Sequence, residues 1–416
     1  MSGQPRNHRF ELETLSPVRV GAGQDAVLSP YTDFVQEGGH LVYLDPRKLE
    51  RALAAQSMSV MDEFARGVRS RMNNTRSDFE LADFICTRLG TTPAALALRR
   101  VPVGGAVRHA QVRRHISNGG QPYIPGSSLK GAFRAAILYC WLLDSQEGHR
   151  FVEELAVIVE RLWQAFGRQI EEAERHYREG NIREGDRLAG SIPNRVRPEL
   201  RPFSEERLFG GLTGGVNGPE MRFFRLSDTV PLPADVLQVA EVTRIKLFNA
   251  QTVSPQWSEV LPRGVRTTFA LSIEPRFTRP DLRFLNDESV EPLLERLDRF
   301  AADCVEWEMD VLDNLSVDAL NDVYNEVLGV EERDLPQQAA RMRLGAGKTY
   351  FDNSLGLSLH RHDFRIFERF RRLLGLGRNP QFRRFSSERF PATRSYVIER
   401  GRPTEPLGWV QIRAAG

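Results

Sequence analysis

A glycine turn followed by serines and cations precedes a strongly apolar segment, and this combination could bind phosphate. The stretch runs Gly126-Ser-Ser-Leu-Lys130, with Arg134 one helical turn further on. A glycine turn that opens a helix presents unpaired backbone N–H groups and the positive end of the helix dipole, and both attract phosphate. Ser127 and Ser128 can donate to phosphate oxygens, while Lys130 and Arg134 project from one helical face. An ordinary capped core helix would have the same spacing.

Two other glycine turns also occur beside basic residues. Gly21-Ala-Gly23 follows the first predicted strand, and Gly345-Ala-Gly-Lys348 occurs late in the chain. A glycine-rich, basic stretch over 104–125 precedes the helix and is predicted to be a loop. Because glycine lets a backbone approach a ligand closely, these segments could contact the sugar-phosphate backbone of RNA.

The late glycine turn also resembles the phosphate loop of a nucleotide hydrolase. That motif requires glycine five residues before Gly347, where this sequence has Met342, and it lies between a strand and a long helix. Asp352-Asn353 and strand-like residues follow the turn instead. We therefore favour contact with an RNA backbone over nucleotide hydrolysis.

Two histidines in the basic loop raise a catalytic alternative. His109 and His115 lie in this loop, and general acid–base cleavage of RNA often uses a histidine. No partner carboxylate can be placed from the sequence, so solvated residues or phosphate contacts are the simpler interpretation. His360 and His362 lack the H-E-x-x-H pattern, and the three cysteines lack C-x-x-C spacing. We expect neither a metal nor a cofactor.

The elements that must position these residues alternate between strands and helices. Alternating apolar residues predict strands, and apolar residues at helical spacing after capping residues predict helices. With helical insertions at about 45–103 and 145–208 set aside, the order is strand, helix, strand, strand, helix, strand. This is the ferredoxin-like βαββαβ arrangement of an α+β fold, the RRM type. The predicted core elements are strands at 8–20, 221–228, 241–248, 265–274 and 355–359, and helices beginning at 127 and about 287.

Two further segments are predicted outside this core. The polar stretch at 179–207 is a candidate for a mobile excursion. A basic helix at 361–374 and a hairpin pairing 395–399 with 407–413 would form a C-terminal extension, residues 361–416, packed on a core of residues 1–360. The helix carries an apolar stripe surrounded by arginines, which could follow RNA or dock a neighbouring subunit.

The overall charge limits where a nucleic acid could bind. The 416 residues include 57 basic and 55 acidic side chains, for a net charge of +2. An RNA-binding surface must therefore be a local patch. No apolar stretch approaches the roughly 18 residues of a membrane helix, and no secretory signal is evident, so we expect a soluble cytoplasmic protein without membrane contact.

Five short motifs occur in a fixed order along the chain. They are Leu15-Ser-Pro-Val-Arg-Val-Gly-Ala-Gly23, Pro125-Gly-Ser-Ser-Leu-Lys-Gly131 with Arg134, Phe224-Arg-Leu-Ser-Asp228, Val242-Thr-Arg-Ile-Lys246 and Leu344-Gly-Ala-Gly-Lys-Thr349. This ordered set resembles the RAMP superfamily, the repeat-associated proteins of type III CRISPR complexes, and the segment from Pro125 to Arg134 looks like the signature of that family. Three further pieces discriminate within the superfamily, namely Leu28-Ser-Pro-Tyr-Thr-Asp33, Val42-Tyr-Leu-Asp45 and the tail from Pro391 to Val410. They look like the fifth Csm protein of type III-A complexes.

This resemblance implies a non-catalytic RNA-binding subunit. It would cap the backbone filament of a Csm complex at the 3′ portion of the crRNA and would be needed for crRNA maturation in antiviral defence. Its implied partners are crRNA, the RAMP backbone subunits and small subunits of the complex, and host nucleases that trim the crRNA 3′ end. The predicted RNA-binding residues are Arg19, Gly21, Gly23, Arg113, Arg114, Gly126, Ser127, Ser128, Lys130, Arg134, Arg244, Lys246, Arg343, Gly345, Gly347, Lys348, Arg383, Arg384 and Arg394.

Two alternative functions stay open at this point. One is a metal-independent endoribonuclease that processes crRNA through His109 or His115. The other is a RAMP subunit at the opposite, 5′-handle end of the guide. The backbone subunit of the family cuts target RNA with an aspartate after the first strand, and Asp25 and Asp33 lie in the corresponding stretch. Neither belongs to a recognisable match, so we assign them no catalytic role.

Overall fold

The computed structural model describes residues 4–23, 26–73, 78–210, 220–246, 252–312, 320, 322–325, 338–353, 355–377, 390–391 and 393–415. The strands of these segments are β1 (Arg6–Thr14), β2 (Val27–Leu28), β3 (Phe34–Glu37), β4 (His40–Leu44), β5 (Ala97–Pro102), β6 (Val112–Arg113), β7 (Ser117–Asn118), β8 (Gln121–Pro122), β9 (Phe224–Leu226), β10 (Gln238–Lys246), β11 (Thr252–Val260), β12 (Arg266–Ile273), β13 (Ala339–Arg343), β14 (Thr393–Glu399), β15 (Arg402–Pro406) and β16 (Trp409–Ala414).

The α-helices of the same segments are α1 (Pro46–Ala54), α2 (Met58–Asn73), α3 (Leu81–Thr87), α4 (Gly126–Asp144), α5 (Gln146–Arg178), α6 (Ile182–Ala189), α7 (Ile192–Leu200), α8 (Glu206–Phe209), α9 (Glu291–Leu312), α10 (Tyr350–Asn353), α11 (Gly356–His362) and α12 (Phe364–Leu373). Short 3₁₀ helices span Glu220–Phe223, Ala234–Val236, Pro280–Asn286 and Gly345–Gly347. Within the described chain, none of the helices has the length and apolar character needed to cross a membrane.

The central element is a five-stranded antiparallel sheet in the order β13-β16-β1-β12-β9. Apolar residues alternate along β1, and Phe10 stacks on Phe269 of β12 with ring centroids 5.3 Å apart. The helices α4 and α9 pack together on the face of the sheet that carries Phe10 and Phe269, and Phe133 of α4 contacts Phe224 of β9. The order β1, α4, β9, β12, α9, β13 confirms the predicted ferredoxin-like α+β core.

The last strand lies inside this sheet rather than in a separate hairpin packed on it. β16 pairs with β1 on one side and with β13 on the other, and Val410 and Ile412 are fully buried. The predicted pairing of 395–399 with 407–413 is wrong. Instead, β14 forms its hairpin with β15 through the turn at Arg400-Gly401, and Gly408 at φ +91° redirects the chain into the central sheet.

A second sheet carries most of the remaining strands, in the order β15-β14-β10-β11-β6-β2. The chain beyond β1 links the two sheets, because Val18 pairs with Leu261 and Gly21 pairs with His115. Val112 and Trp257 face the main core, so Arg113, the next residue on β6, points to the opposite face. The Gly21-Ala-Gly23 turn therefore lies where the two sheets meet.

The insertions are more ordered and more varied than predicted. Between β1 and α4, the strands β3, β4 and β5 form a sheet that packs against α1, α2 and α3 around a core of its own. The stretch at 179–207 is largely helical, so the prediction of a mobile excursion is wrong. Ile192, Val196 and Leu200 are buried at helical spacing, which sequence polarity concealed.

The C-terminal basic helix is attached to the fold through its arginines. The predicted strand near 355–359 is helical instead (α11), and Asp363 caps α12 by accepting from the backbone of Arg365 and Ile366. Arg369 pairs with Glu160 and Arg372 with Glu174, both on α5. These two arginines thus join α12 to α5 within the protein, whereas the sequence had suggested contact with RNA or with a neighbouring subunit.

Candidate RNA-binding surface

The first glycine turn and the basic loop are joined by backbone hydrogen bonds. The Ile116 N–H donates to the Val20 carbonyl over 2.8 Å, and the Arg114 N–H donates to the Ala26 carbonyl over 2.9 Å. Gly21 and Gly23 are exposed on this joined backbone, and Gly23 has φ +125°. Two segments that are remote in sequence therefore form one surface.

The late glycine turn at Gly345-Ala-Gly347 packs directly beneath the turn at Gly21-Ala-Gly23. The Ala346 N–H donates to the Arg19 carbonyl over 2.9 Å. Gly345 has φ +67°, and a Cβ atom there would lie 2.1 Å from the same carbonyl oxygen. At Gly347 a Cβ atom would lie 2.0 Å from the Leu407 carbonyl oxygen. These glycines are required by close packing within the protein, whereas the sequence predicted close approach of RNA.

Alanine at Gly345 is expected to destabilise the protein by about 2 kcal/mol or more, because it adds both a positive-φ strain and a backbone clash. Urea denaturation would measure this loss. The matched control is Gly21→Ala, where the nearest atom to the added Cβ is the end of the flexible Arg19 side chain at 3.4 Å. Equal denaturation midpoints for the two variants would contradict the packing described.

Three arginines on this surface lack an acidic partner. Arg19, Arg113 and Arg114 are half-buried, and within the described residues no carboxylate lies within 4.0 Å of any of them. Burial and the neighbouring Arg113 guanidinium lower the pKa of Arg19. Like charges held together without a counter-ion favour an anion at the same place. We call Arg19, Gly21, Gly23, Arg113 and Arg114 the arginine–glycine surface.

A further cation lies on the same side of the second sheet. Arg244 of β10 is exposed, and its partner residue on β11 is Val253, whereas Arg113 aligns with Ser258 of β11. From strand spacing, the two arginines are roughly 15–20 Å apart. Lys246 is half-buried on the same face of β10. Arg244 could therefore extend the arginine–glycine surface along a strand of nucleic acid.

The amino terminus of α4 is docked on the central sheet. The Gly126 N–H donates to the Asp228 carboxylate over 2.8 Å, and a Cβ atom on Gly126 would lie 2.4 Å from the Leu226 carbonyl oxygen. The Ser128 N–H donates to the Pro125 carbonyl. Asp228 thus accepts the hydrogen bond from the first backbone N–H of the helix, where the sequence predicted a phosphate. Of Gly126, Ser127 and Ser128, Ser127 alone is exposed.

Lys130 and Arg134 are engaged within the protein. The Lys130 ammonium donates to the carbonyl oxygens of Met221 and Phe224, each over 2.7 Å, and burial lowers the pKa of Lys130. Arg134 pairs with Glu205 and lies over the Phe209 ring. The signature helix therefore uses both cations to hold neighbouring backbone and helices, as an ordinary core helix would.

Methionine at Lys130 is expected to lower the free energy of unfolding by about 1–3 kcal/mol, because two carbonyl groups lose their charged donor. RNA affinity should stay at the wild-type level. Urea denaturation and fluorescence anisotropy with labelled RNA would measure the two quantities. Arg134→Met is the control, and its half-exposed ion pair should contribute less than about 1 kcal/mol. Weaker RNA binding by Lys130→Met at unchanged stability would show that the ammonium reaches RNA.

Two arginines predicted to bind RNA lie inside the protein, which corrects that prediction. Arg343 Nη1 is 2.7 Å from Glu308 Oε1 and 3.3 Å from Asp352 Oδ2, and Arg394 Nε is 2.9 Å from the same Glu308 oxygen. Burial alone would raise the pKa of Glu308, but Arg343 and Arg394 lower it overall. With the side chains of Arg343 and Arg394 only 2% and 1% exposed, this cluster joins α9, β13 and β14 rather than meeting a ligand.

Lys348 also turns inward. It lines a small cavity with Cys304, Met342 and Trp409, and burial lowers its pKa. Its ammonium is therefore withdrawn from the arginine–glycine surface, although the turn that carries it packs beneath that surface. Arg383 and Arg384 lie outside the described residues.

The two loop histidines differ sharply in exposure. His115 is 1% exposed, and burial lowers the pKa of its ring to about 4, so the ring is neutral near pH 7. His109 is exposed, with its Nε2 atom 4.0 Å from Glu80 Oε1. A role for His115 in acid–base cleavage would require RNA to reach a buried ring.

The open face of the central sheet is not a stacking platform. A shallow depression there is lined by charged and polar residues, namely Glu11, Glu13, Arg266, Thr268, Gln411 and Arg413. RRM proteins stack bases on aromatic side chains of this face. The basic loops at the edge, rather than the face, therefore offer the better site for RNA.

Comparisons with known proteins agree with this architecture. The family model of the RAMP superfamily matches residues 11–350. One chain of the cryo-EM structure of a Csm–crRNA–target RNA ternary complex from a type III-A CRISPR-Cas system superposes with a TM-score of 0.61, at 20% identity, over 99% of this chain and 100% of that one. The crystal structure of T. onnurineus Csm5 superposes with a TM-score of 0.56, at 19% identity, over 96% and 99% of the two chains. A search of curated proteins gives no match.

Proposed function

This chain belongs to the RAMP superfamily, and from that membership we propose that it is a crRNA-binding, non-catalytic subunit of a type III-A Csm complex. It ends the backbone filament at the 3′ portion of the crRNA and is needed for maturation of that end. The arginine–glycine surface is the observation that carries the proposal, because it combines exposed glycine backbone with three arginines that have no acidic partner among the described residues.

The chemistry of this surface suits a guide of any sequence. A subunit that accepts many guides must hold sugar and phosphate rather than base edges, and backbone N–H groups and arginines do this. Affinity should fall with salt, by a logarithmic slope of about −0.7 for each phosphate neutralised on a single strand. Binding that is equally tight at low and high salt would contradict a phosphate grip.

The position at the 3′ end and the partners rest on resemblance. The motifs at both ends of the chain look like the fifth Csm protein, and the folds of Csm5 and of a Csm-complex chain match along nearly the whole length. The proposed partners are the backbone and small subunits of the complex, together with host nucleases that trim the crRNA.

Crosslinking in the assembled complex tests both the RNA contact and the end. Guides carrying 4-thiouridine in either the 3′ portion or the 5′ handle are irradiated, and the crosslinked peptides are identified by mass spectrometry. We expect peptides from 15–23 and 112–118 to crosslink to the 3′ portion. Crosslinks to the 5′ handle would support the opposite end instead, and none to either part would overturn RNA binding at this surface.

The non-catalytic part of the proposal has its own test. Purified protein is incubated with precursor crRNA, with and without a metal chelator. Specific cleavage that persists with chelator and disappears in His109→Ala or His115→Ala would replace the binding role with an endoribonuclease.

A further inference from the structure

A buried carboxylate holds the basic loop from behind. Glu259 of β11 is 1% exposed, and its Oε2 atom accepts the backbone N–H of His115 over 2.9 Å. His115 directly follows Arg113 and Arg114, so this hydrogen bond fixes the backbone that carries both arginines. The other carboxylate oxygen pairs with the guanidinium of Arg99.

Arg99 connects this carboxylate to the inserted three-stranded sheet. It lies on β5, its guanidinium is 4.8 Å from the centre of the Tyr43 ring of β4, and it donates to the Ala234 carbonyl over 3.3 Å. The positive charge of Arg99 compensates the buried negative charge of Glu259, which would otherwise oppose binding of an anion nearby. The arginines of the loop are thereby left without an acidic partner of their own.

The same inserted sheet also holds the beginning of the basic loop. Gln36 of β3 accepts the Val107 N–H over 2.9 Å through its amide oxygen, and its amide nitrogen donates to the Gly105 carbonyl over 2.8 Å. Both hydrogen bonds use the Gln36 side chain against loop backbone. The loop is therefore fixed at two points by side chains that belong to other parts of the fold.

We propose that Glu259 and Gln36 are positioning residues for RNA binding, which act through Arg113 by holding the basic loop in its binding conformation. The inserted sheet then serves as the support of the RNA-binding surface rather than as a contact of its own. A loop that is already ordered loses less conformational entropy on binding, so affinity depends on this support. The inference rests on the proposed function.

A double-mutant cycle measures whether the effect passes through Arg113. Glu259→Gln and Gln36→Ala are each made in the wild-type protein and in Arg113→Ala, and anisotropy with labelled crRNA gives the affinities. We expect each to weaken binding about 5- to 10-fold in the wild type and less than about 2-fold in Arg113→Ala, because their shared mechanism is then already lost. Gln169→Ala, an exposed residue of α5, is the control and should bind as the wild type.

The outcomes separate this inference from the function on which it rests. Equal losses in both backgrounds would show a purely structural role and overturn the inference, and so would wild-type affinity for both variants. If Arg113→Ala itself binds RNA like the wild type, the proposed surface fails as well. Gln36 is half-exposed, so its variant provides the test if Glu259→Gln does not fold.

Discussion

Alanine at both Arg19 and Arg113 is expected to weaken crRNA binding by roughly 100-fold, since a hydrogen bond to a charged group contributes about 1.5–3 kcal/mol and each substitution removes at least one. Burial and the neighbouring Arg113 guanidinium both lower the pKa of Arg19, and none of the described carboxylates lies within 4.0 Å of either arginine. Their charge is therefore available to phosphate.

Fluorescence anisotropy with labelled crRNA over a range of salt concentrations would measure this effect. Besides the lower affinity, the salt dependence should become shallower by about 1.4, which is twice the single-strand slope of 0.7 per phosphate. The matched control is Arg161→Ala with Arg365→Ala, two exposed arginines that change the net charge equally. If both double variants lose the same affinity, net charge alone governs binding and the arginine–glycine surface has no special role.

Alanine at Glu308 is expected to lower the free energy of unfolding by about 3–5 kcal/mol, the usual cost of leaving buried charges without their partner. Glu308 Oε1 lies within 3 Å of both Arg343 Nη1 and Arg394 Nε, and the three side chains are at most 2% exposed. Without this carboxylate, Asp352, which is paired with Arg343, would be the one carboxylate of the described residues left within 4.0 Å of either arginine.

Urea denaturation with an unchanged m-value would identify this as a loss of stability rather than a change of the unfolded state. Glu306→Ala is a matched control on the same helix, because its carboxylate is 59% exposed and pairs with Arg361 at the surface. That variant should lose no more than about 1 kcal/mol. A similar loss in both variants would mean that the buried cluster contributes no more than a surface pair.

The order of elements was accessible from the sequence because it is recorded locally. The alternation of Phe10 and Leu12, the apolar face of α4 and the spacing of glycine turns each depend on residues a few positions apart. The RAMP motifs follow the same local order, so the sequence predicted both the ferredoxin-like core and the family. Its errors at 179–207 and 355–359 arose where local polarity or length favoured the wrong element.

The roles of individual cations were decided by tertiary structure alone. Lys130 contacts a carbonyl 94 positions away, and Glu308 of α9 meets Arg394 of β14. No local pattern records such partners, because they depend on how distant elements pack. The sequence could therefore identify basic residues beside glycine turns as candidates for RNA binding. Packing determined which of these residues are neutralised within the protein and which, such as Arg19 and Arg113, keep an unbalanced charge near the surface.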